Sequence, residues 1–195
     1  MSNETRTGEG PDRRLGTLEE LLKEQANGKR PPVDSWDPPH RGDIGMAIRR
    51  DGSWTYQDSP ITRPALVRLF ASVLRRDADG RHYLVTPVEK IDIAVEDAPF
   101  MAVEMDVTGE GQAQRLLFRT NVDDVVVCGA DHPLRFEEEA GSGGLKPYLL
   151  IRGRLEALVT RATTYDLAEL AVARDGTFGV WSDGAFFEIG GCGDA

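Results

Sequence analysis

The stretch that decides the fold runs from His82 to Phe100, HYLVTPVEKIDIAVEDAPF. Tyr83-Leu84-Val85-Thr86 reads as one strand, since aromatic and β-branched residues crowd it. Pro87 has no amide to give to a ladder and marks a bend or a sheet edge. Val88, Ile91, Ile93 and Val95 give a second strand, with Asp92, Ala94 and Glu96 on its opposite face. Asp97-Ala98-Pro99 turns the chain. This mid-chain scaffold, mixing apolar and ionisable residues, is expected to flank a ligand cleft.

Just upstream, Leu66, Leu69, Phe70, Val73 and Leu74 trace one helical stripe, with Thr62 as N-cap and Pro64 in the first turn. Arg75 and Arg76 suit the negative C-terminal end of that helix, and Asp79-Gly80 closes it. Earlier still, Ile44, Met46 and Ile48 alternate as a strand, Asp51-Gly52 supplies a tight hairpin turn, and Trp54 and Tyr56 return. Downstream, strands are expected over 100–107, 114–120, 125–128 and 134–136, with a loop at 137–144. A hairpin about Gly153 joins 147–152 to 155–160. A short helix capped by Thr163 or Thr164 and running toward Val172 follows, unless that segment is strand.

The C-terminal Arg174-Asp175-Gly176-Thr177-Phe178-Gly179-Val180 echoes Arg50-Asp51-Gly52-Ser53-Trp54-Thr55-Tyr56. Chance and an internal duplication both explain the echo. Residues 1–16 read as a polar tail. Thr17-Leu18-Glu19-Glu20 is a capping box opening a short helix through Ala26, docked on the body or on a partner. Pro31 to Pro39 reads as an extended polyproline spacer pinned to the body by Trp36.

The 195 residues carry a formal net charge of −10. Residues 1–41 are nearly balanced, with eight acidic and seven basic side chains, so the body holds 25 acidic against 16 basic. That excess repels polyphosphate backbones and anionic membrane surfaces, which argues against general nucleic-acid or membrane binding. A local arginine pocket for a small anion stays open. There is no apolar run of the ~18 residues a span needs, and the N-terminus has no apolar signal core. Cys128 and Cys192 make no disulfide framework, so a cytoplasmic location is expected.

Neighbours Glu89 and Lys90 point to opposite strand faces and cannot form one acid–base pair without a bulge. Cys128 and His132 have metal-like spacing but lack the further ligands that zinc requires, and no third group makes Cys128 a nucleophile. Asp123-Asp124 and Glu137-Glu138-Glu139 read as solvated charge, and the Gly141–Lys146 run lacks the order of a phosphate loop. No metal or cofactor is expected. Arg152, Arg154 and Arg161 either pair with surplus acids or build a concave anion site, in which Arg152 or Arg161 would act with Tyr165 or Trp181 stacking.

The chain resembles the bacterial family of domains of unknown function numbered 1285, over about residues 36–190. The resemblance rests on Asp51-Gly52-Ser53-Trp54-Thr55-Tyr56, Ser59-Pro60-Ile61-Thr62-Arg63, Leu66-Val67-Arg68-Leu69-Phe70, Thr86-Pro87-Val88-Glu89-Lys90, Asp97-Ala98-Pro99-Phe100, Thr120-Asn121, His132-Pro133-Leu134 and Val180-Trp181-Ser182-Asp183-Gly184. It implies an α+β, β-rich, two-lobed fold with internal duplication, whose C-terminal lobe resembles a pleckstrin-homology-like barrel. It also implies a ligand site at the domain interface, with a nucleotide-like molecule as candidate, and a role in signal transduction. No catalytic residues come with it. Thr86, Glu89, Lys90, Phe100, Thr120 and Asn121 are therefore the candidate ligand contacts, and charge adds Arg152. The expected domains are a tail, helix and spacer over 1–41, an N-terminal α+β domain over 42–97, a C-terminal β-rich domain over 98–190 and a flexible end over 191–195. The expected function is sensing of a small anionic ligand at the seam. The alternatives are a protein-interaction module using the N-terminal helix and Trp36, and an enzyme of unrecognised type.

Overall fold

Alternating burial turns the 40–56 segment into a hairpin, β1 (His40–Ile48) and β2 (Trp54–Tyr56), with Met46, Ile48 and Trp54 in the core. The computed structural model describes residues 30–191, so the helix expected within 17–26 and most of the 191–195 end lie outside the described residues. β3 (Ser59–Pro60) completes a three-stranded meander. The helix α1 (Pro64–Ser72) follows, buried along Leu69, Ala71 and Ser72. A second meander consists of β4 (Leu74–Arg76), β5 (His82–Val85) and β6 (Lys90–Val95). Its last strand lies parallel to β1, giving the sheet order β3-β2-β1-β6-β5-β4.

The second sheet repeats this plan. β7 (Phe100–Thr108), β8 (Arg115–Thr120) and β9 (Val125–Val127) form one meander. The other contains β10 (Leu134–Glu138), β11 (Leu145–Arg152) and β12 (Leu155–Val159). β12 lies parallel to β7, and the order β9-β8-β7-β12-β11-β10 matches the first sheet strand for strand. The helix α2 (Arg161–Glu169) then leads into a third sheet, β13 (Val172–Arg174), β14 (Thr177–Ser182) and β15 (Ala185–Gly191). Over the described residues the molecule is thus β-rich with two α-helices and two curled sheets in two lobes.

The two D-G hairpins are not the repeat. Asp51-Gly52 joins β1 to β2 in the first sheet, whereas Asp175-Gly176 joins β13 to β14 in the third. Other expectations shift for local reasons. Thr62 is not the N-cap, a place taken by Arg63 without a side-chain bond. Leu74 belongs to a strand, because helix α1 stops at Ser72, whose hydroxyl donates back to Leu69 O at 2.7 Å. Arg75 and Arg76 therefore sit on β4, and Asp79-Gly80 turns the β4–β5 hairpin. Val88 lies exposed in the turn before β6 rather than in the strand. Thr160, not Thr163 or Thr164, precedes α2, and Val172 has passed into β13. The proline spacer contains a 3-10 turn at Val33–Ser35, where extended chain was expected.

One apolar core runs through both lobes, from Ile48, Trp54 and Leu69 to Phe100, Leu149 and Ile151. The hairpin turn of lobe one plugs into lobe two at Gly52, which is buried with φ +81°. A Cβ there would lie 2.6 Å from Met101 Cγ and 2.9 Å from Asn121 Nδ2. Gly52→Ala should therefore destabilise the protein by about 1–3 kcal/mol, through positive-φ strain and the clash together. Urea unfolding tests this, and a change below about 0.5 kcal/mol would show that the lobes do not depend on the turn.

Candidate functional site

A group of six polar side chains ties the lobes together. Arg152, at the end of β11, reaches across to donate to Ala71 O at 2.6 Å, in the last turn of α1. Its other nitrogen pairs with Asp124, and its plane lies 4.8 Å over the Phe100 ring. Arg30 reaches the same Asp124 at 2.6 Å. Burial depresses the Arg152 pKa, and the Asp124 charge opposes that shift. Asn121 donates to Gly52 O at 3.4 Å and accepts from Met101 N at 3.0 Å. Arg68 pairs with Asp123 at 3.0 Å.

The expected contact residues divide into two groups. Phe100 and Thr120 have zero exposure, so neither can touch a ligand. Phe100 is core, and the Thr120 hydroxyl accepts from the amides of Val122 and Asp124 to cap the β8–β9 turn. Together with Asn121 and Arg152 they make the inter-lobe joint. Thr86, Glu89 and Lys90 stand apart from it. The Thr86 hydroxyl stitches the turn by accepting from Glu89 N at 3.2 Å, and Glu89 is half-buried in that turn. Lys90 Nζ lies 3.3 Å from Asp77 and 4.5 Å over the Tyr83 ring. Burial raises the Asp77 carboxyl, but hydrogen bonds from Arg75 and Lys90 outweigh it and the pKa falls. Of the seven, only Arg152 lines either of the two clefts described below.

Two clefts open along the seam. The first, about 410 Å³, is lined by Arg50 from the β1–β2 turn, Arg76, His82, and Glu96 through Pro99 from the linker between lobes. Across it stand Arg135, Glu137, Lys146, Tyr148, Arg154 and Glu156. The second, about 550 Å³, lies between the spacer and β4 on one side and Arg152 to Leu155 on the other. Arg76 and Arg154 line both.

Charge pairing in the first cleft is uneven. Glu156 is gripped by both ends of Arg135, at 2.5 and 2.8 Å, and Glu137 also pairs with that arginine. Asp97 takes Lys146 at 2.5 Å and the Tyr148 hydroxyl at 2.7 Å. Burial pushes Asp97 up, but these two bonds win and hold it below the usual carboxylate range. Glu96 accepts from Arg49 at 3.0 Å and from the Arg50 amide at 2.8 Å. Among the described residues, Arg50, Arg76 and Arg154 make no direct ion pair with a carboxylate, although the Arg50 charge helps to lower Glu96 and Asp97, and Arg76 donates to Gly80 O at 3.1 Å. Burial, and secondarily the Arg76 charge, drive His82 down to about 4, so it stays neutral beside them.

The sequence singled out Arg152 but missed Arg50 and Arg76, and gave Arg154 no ligand role. Tyr165 and Trp181, the proposed stackers, lie elsewhere: Tyr165 faces Arg161 on α2, and Trp181 packs on Phe186 in the third sheet. Cys128 is buried, its thiol pushed up to about 12 by burial, and the His132 ring contacts Leu150 O at 3.0 Å. No group of His, Cys, Asp and Glu able to hold a metal occurs among the described residues. No described helix is long and apolar enough to cross a membrane.

Comparison with known proteins adds the family. The model described as "Domain of unknown function (DUF1285), N-terminal domain" matches residues 31–98, and its C-terminal counterpart, "Protein of unknown function (DUF1285), C-terminal domain", matches 99–189. A crystal structure of a DUF1285 family protein from Silicibacter pomeroyi DSS-3 is 46% identical, with TM-score 0.81, covering 88% of this chain and 95% of that one. Another, from Shewanella baltica OS155, is 25% identical with TM-score 0.50, covering 65% and 91%. No curated protein matches.

Neutral His82 yields a pH signature. Its folded pKa of about 4 lies below the ordinary 6.5, so the unfolded chain takes up the proton first. Stability contributed by His82 is therefore complete above pH 6.5 and is lost as pH falls toward 4. His82→Gln should flatten the melting-temperature profile within that window alone. Parallel profiles for the two proteins would show that the ring is solvated.

Proposed function

The chain belongs to the DUF1285 family, and we propose that it is a ligand-sensing module whose inter-lobe seam binds a small anionic ligand. The observation that carries this reading is the set of three arginines, Arg50, Arg76 and Arg154, converging on one cleft with its four acids already paired to other groups. A guanidinium offers five donors in a planar fork suited to phosphate or carboxylate oxygens. The two clefts are lined by eight basic and five acidic side chains within a chain of net charge −10, a local excess that favours a small anion while the acidic surface repels polyanionic chains. Cleft volumes of about 410 and 550 Å³ fall in the range of small-molecule sites.

Because the walls come from both lobes, an occupant would bridge them and could alter their fit, which suits a role in cytoplasmic signal transduction. The likeness of the C-terminal lobe to a pleckstrin-homology barrel belongs to the same proposal, supported by a helix, α2, following the last strand of a curled sheet. Partner docking through Trp36 has less support. Trp36 packs against the core, and Arg75 holds its carbonyl at 2.8 Å.

Thermal melts against sulfate, citrate, pyrophosphate, tripolyphosphate and nucleotides test the proposal. At ligand concentrations about 100 times Kd, an occupied seam should raise Tm by about 5–10 °C. The Arg76→Glu/Arg154→Glu double variant should lose that response. Silence across the panel, or an equal response from the double variant, would refute anion binding at the seam.

A further inference from the structure

We infer that the seam recognises a compact, non-aromatic polyanion, an oligophosphate group, and has no element that reads a nucleobase. This rests on the anion-binding reading above and sharpens it to a ligand class. Three guanidiniums that make no direct ion pair among the described residues present far more donors than one monoanion can accept. Two or three linked anionic groups would satisfy them, and Arg76 and Arg154, standing where the two clefts meet, give such a chain a continuous path.

Aromatic faces are the usual platform on which a protein stacks a base, with guanidinium planes as the alternative. Among the described residues, Tyr148 is the one aromatic residue lining either cleft, apart from the His82 imidazole, and it is 5% exposed with Arg135 4.2 Å over its ring. Its hydroxyl is taken by Asp97. The apolar wall of the first cleft amounts to Ala98 and Pro99, both buried, and that of the second to Pro31, Val33, Leu74 and Leu155, none of which offers an aromatic ring to a base. A neutral imidazole at His82 adds a further polar contact without adding charge.

Isothermal titration of the full chain with tripolyphosphate, ATP, citrate and adenosine distinguishes the possibilities. Tripolyphosphate and ATP should bind within about threefold of one another, citrate at least tenfold more weakly, and adenosine should give no heat. Arg154→Ala and Arg76→Ala should each weaken tripolyphosphate by about 10- to 100-fold. Arg161→Ala, outside the seam, should leave it unchanged. ATP binding more than tenfold tighter than tripolyphosphate, or heat from adenosine, would overturn the ligand class while leaving the seam intact as a site. Citrate matching tripolyphosphate would likewise replace oligophosphate by polycarboxylate. No binding of any anion would bring down the underlying reading as well.

Discussion

Arg152 is the constraint on which the arrangement depends. Its guanidinium sits between the lobes, joined at once to the last turn of α1, to Asp124 and to the Phe100 face. An ion so placed is costly to bury unless every donor finds an acceptor. Helix α1 contributes because its terminal carbonyls lack intrahelical partners and carry the negative end of the dipole. Ala71 O lies in that last turn, where the C-cap amide of Val73 also reaches it, so the cation helps to cap the helix. That single joint fixes the β11–β12 turn beside β4, and Arg154 is thereby brought to the same cleft as Arg76.

From this joint follows the distinction between structural and available charge. The seam is rich in ions, yet most are consumed internally: Arg135 by Glu156 and Glu137, Lys146 by Asp97, and Arg75 by Asp77 and the spacer carbonyls. The remaining three arginines sit at turns and a strand end, where side chains stay partly hydrated and incur little desolvation cost. A surface with spare cations inside an acidic protein gains a potential opposite to its surroundings. Binding an anion there would also relieve repulsion among the arginines.

Much of the fold was legible because its signals are local. Asp51-Gly52, the alternation of Ile44, Met46 and Ile48, and the stripe from Leu66 to Phe70 each declare themselves within ten residues. Leu74 misled because it satisfies two periods, four residues after Phe70 and two before Arg76. The errors at Thr62 and Val88 are also boundary errors, where capping and turn chemistry compete with periodicity. The strand order is a different matter. Parallel pairing of β1 with β6 and of β7 with β12 depends on contacts across about fifty residues, and no short pattern encodes them. For the same reason the seam arginines were not brought together: Arg50 and Arg154 are about a hundred residues apart, and nothing local joins them. Phe100 and Thr120 drew attention through their motif, but their chemistry is that of a core and a turn.

The most direct test locates an anion rather than measuring its effect. Crystals soaked in tungstate, an electron-dense oxyanion, would give anomalous peaks wherever such a group binds. The account predicts the strongest peak between Arg76 and Arg154, with Arg50 or His82 within hydrogen-bond reach. Peaks confined to outer surfaces, with the seam filled by Arg76 and Arg154 folded onto Glu96, Asp97 or Glu156, would contradict it.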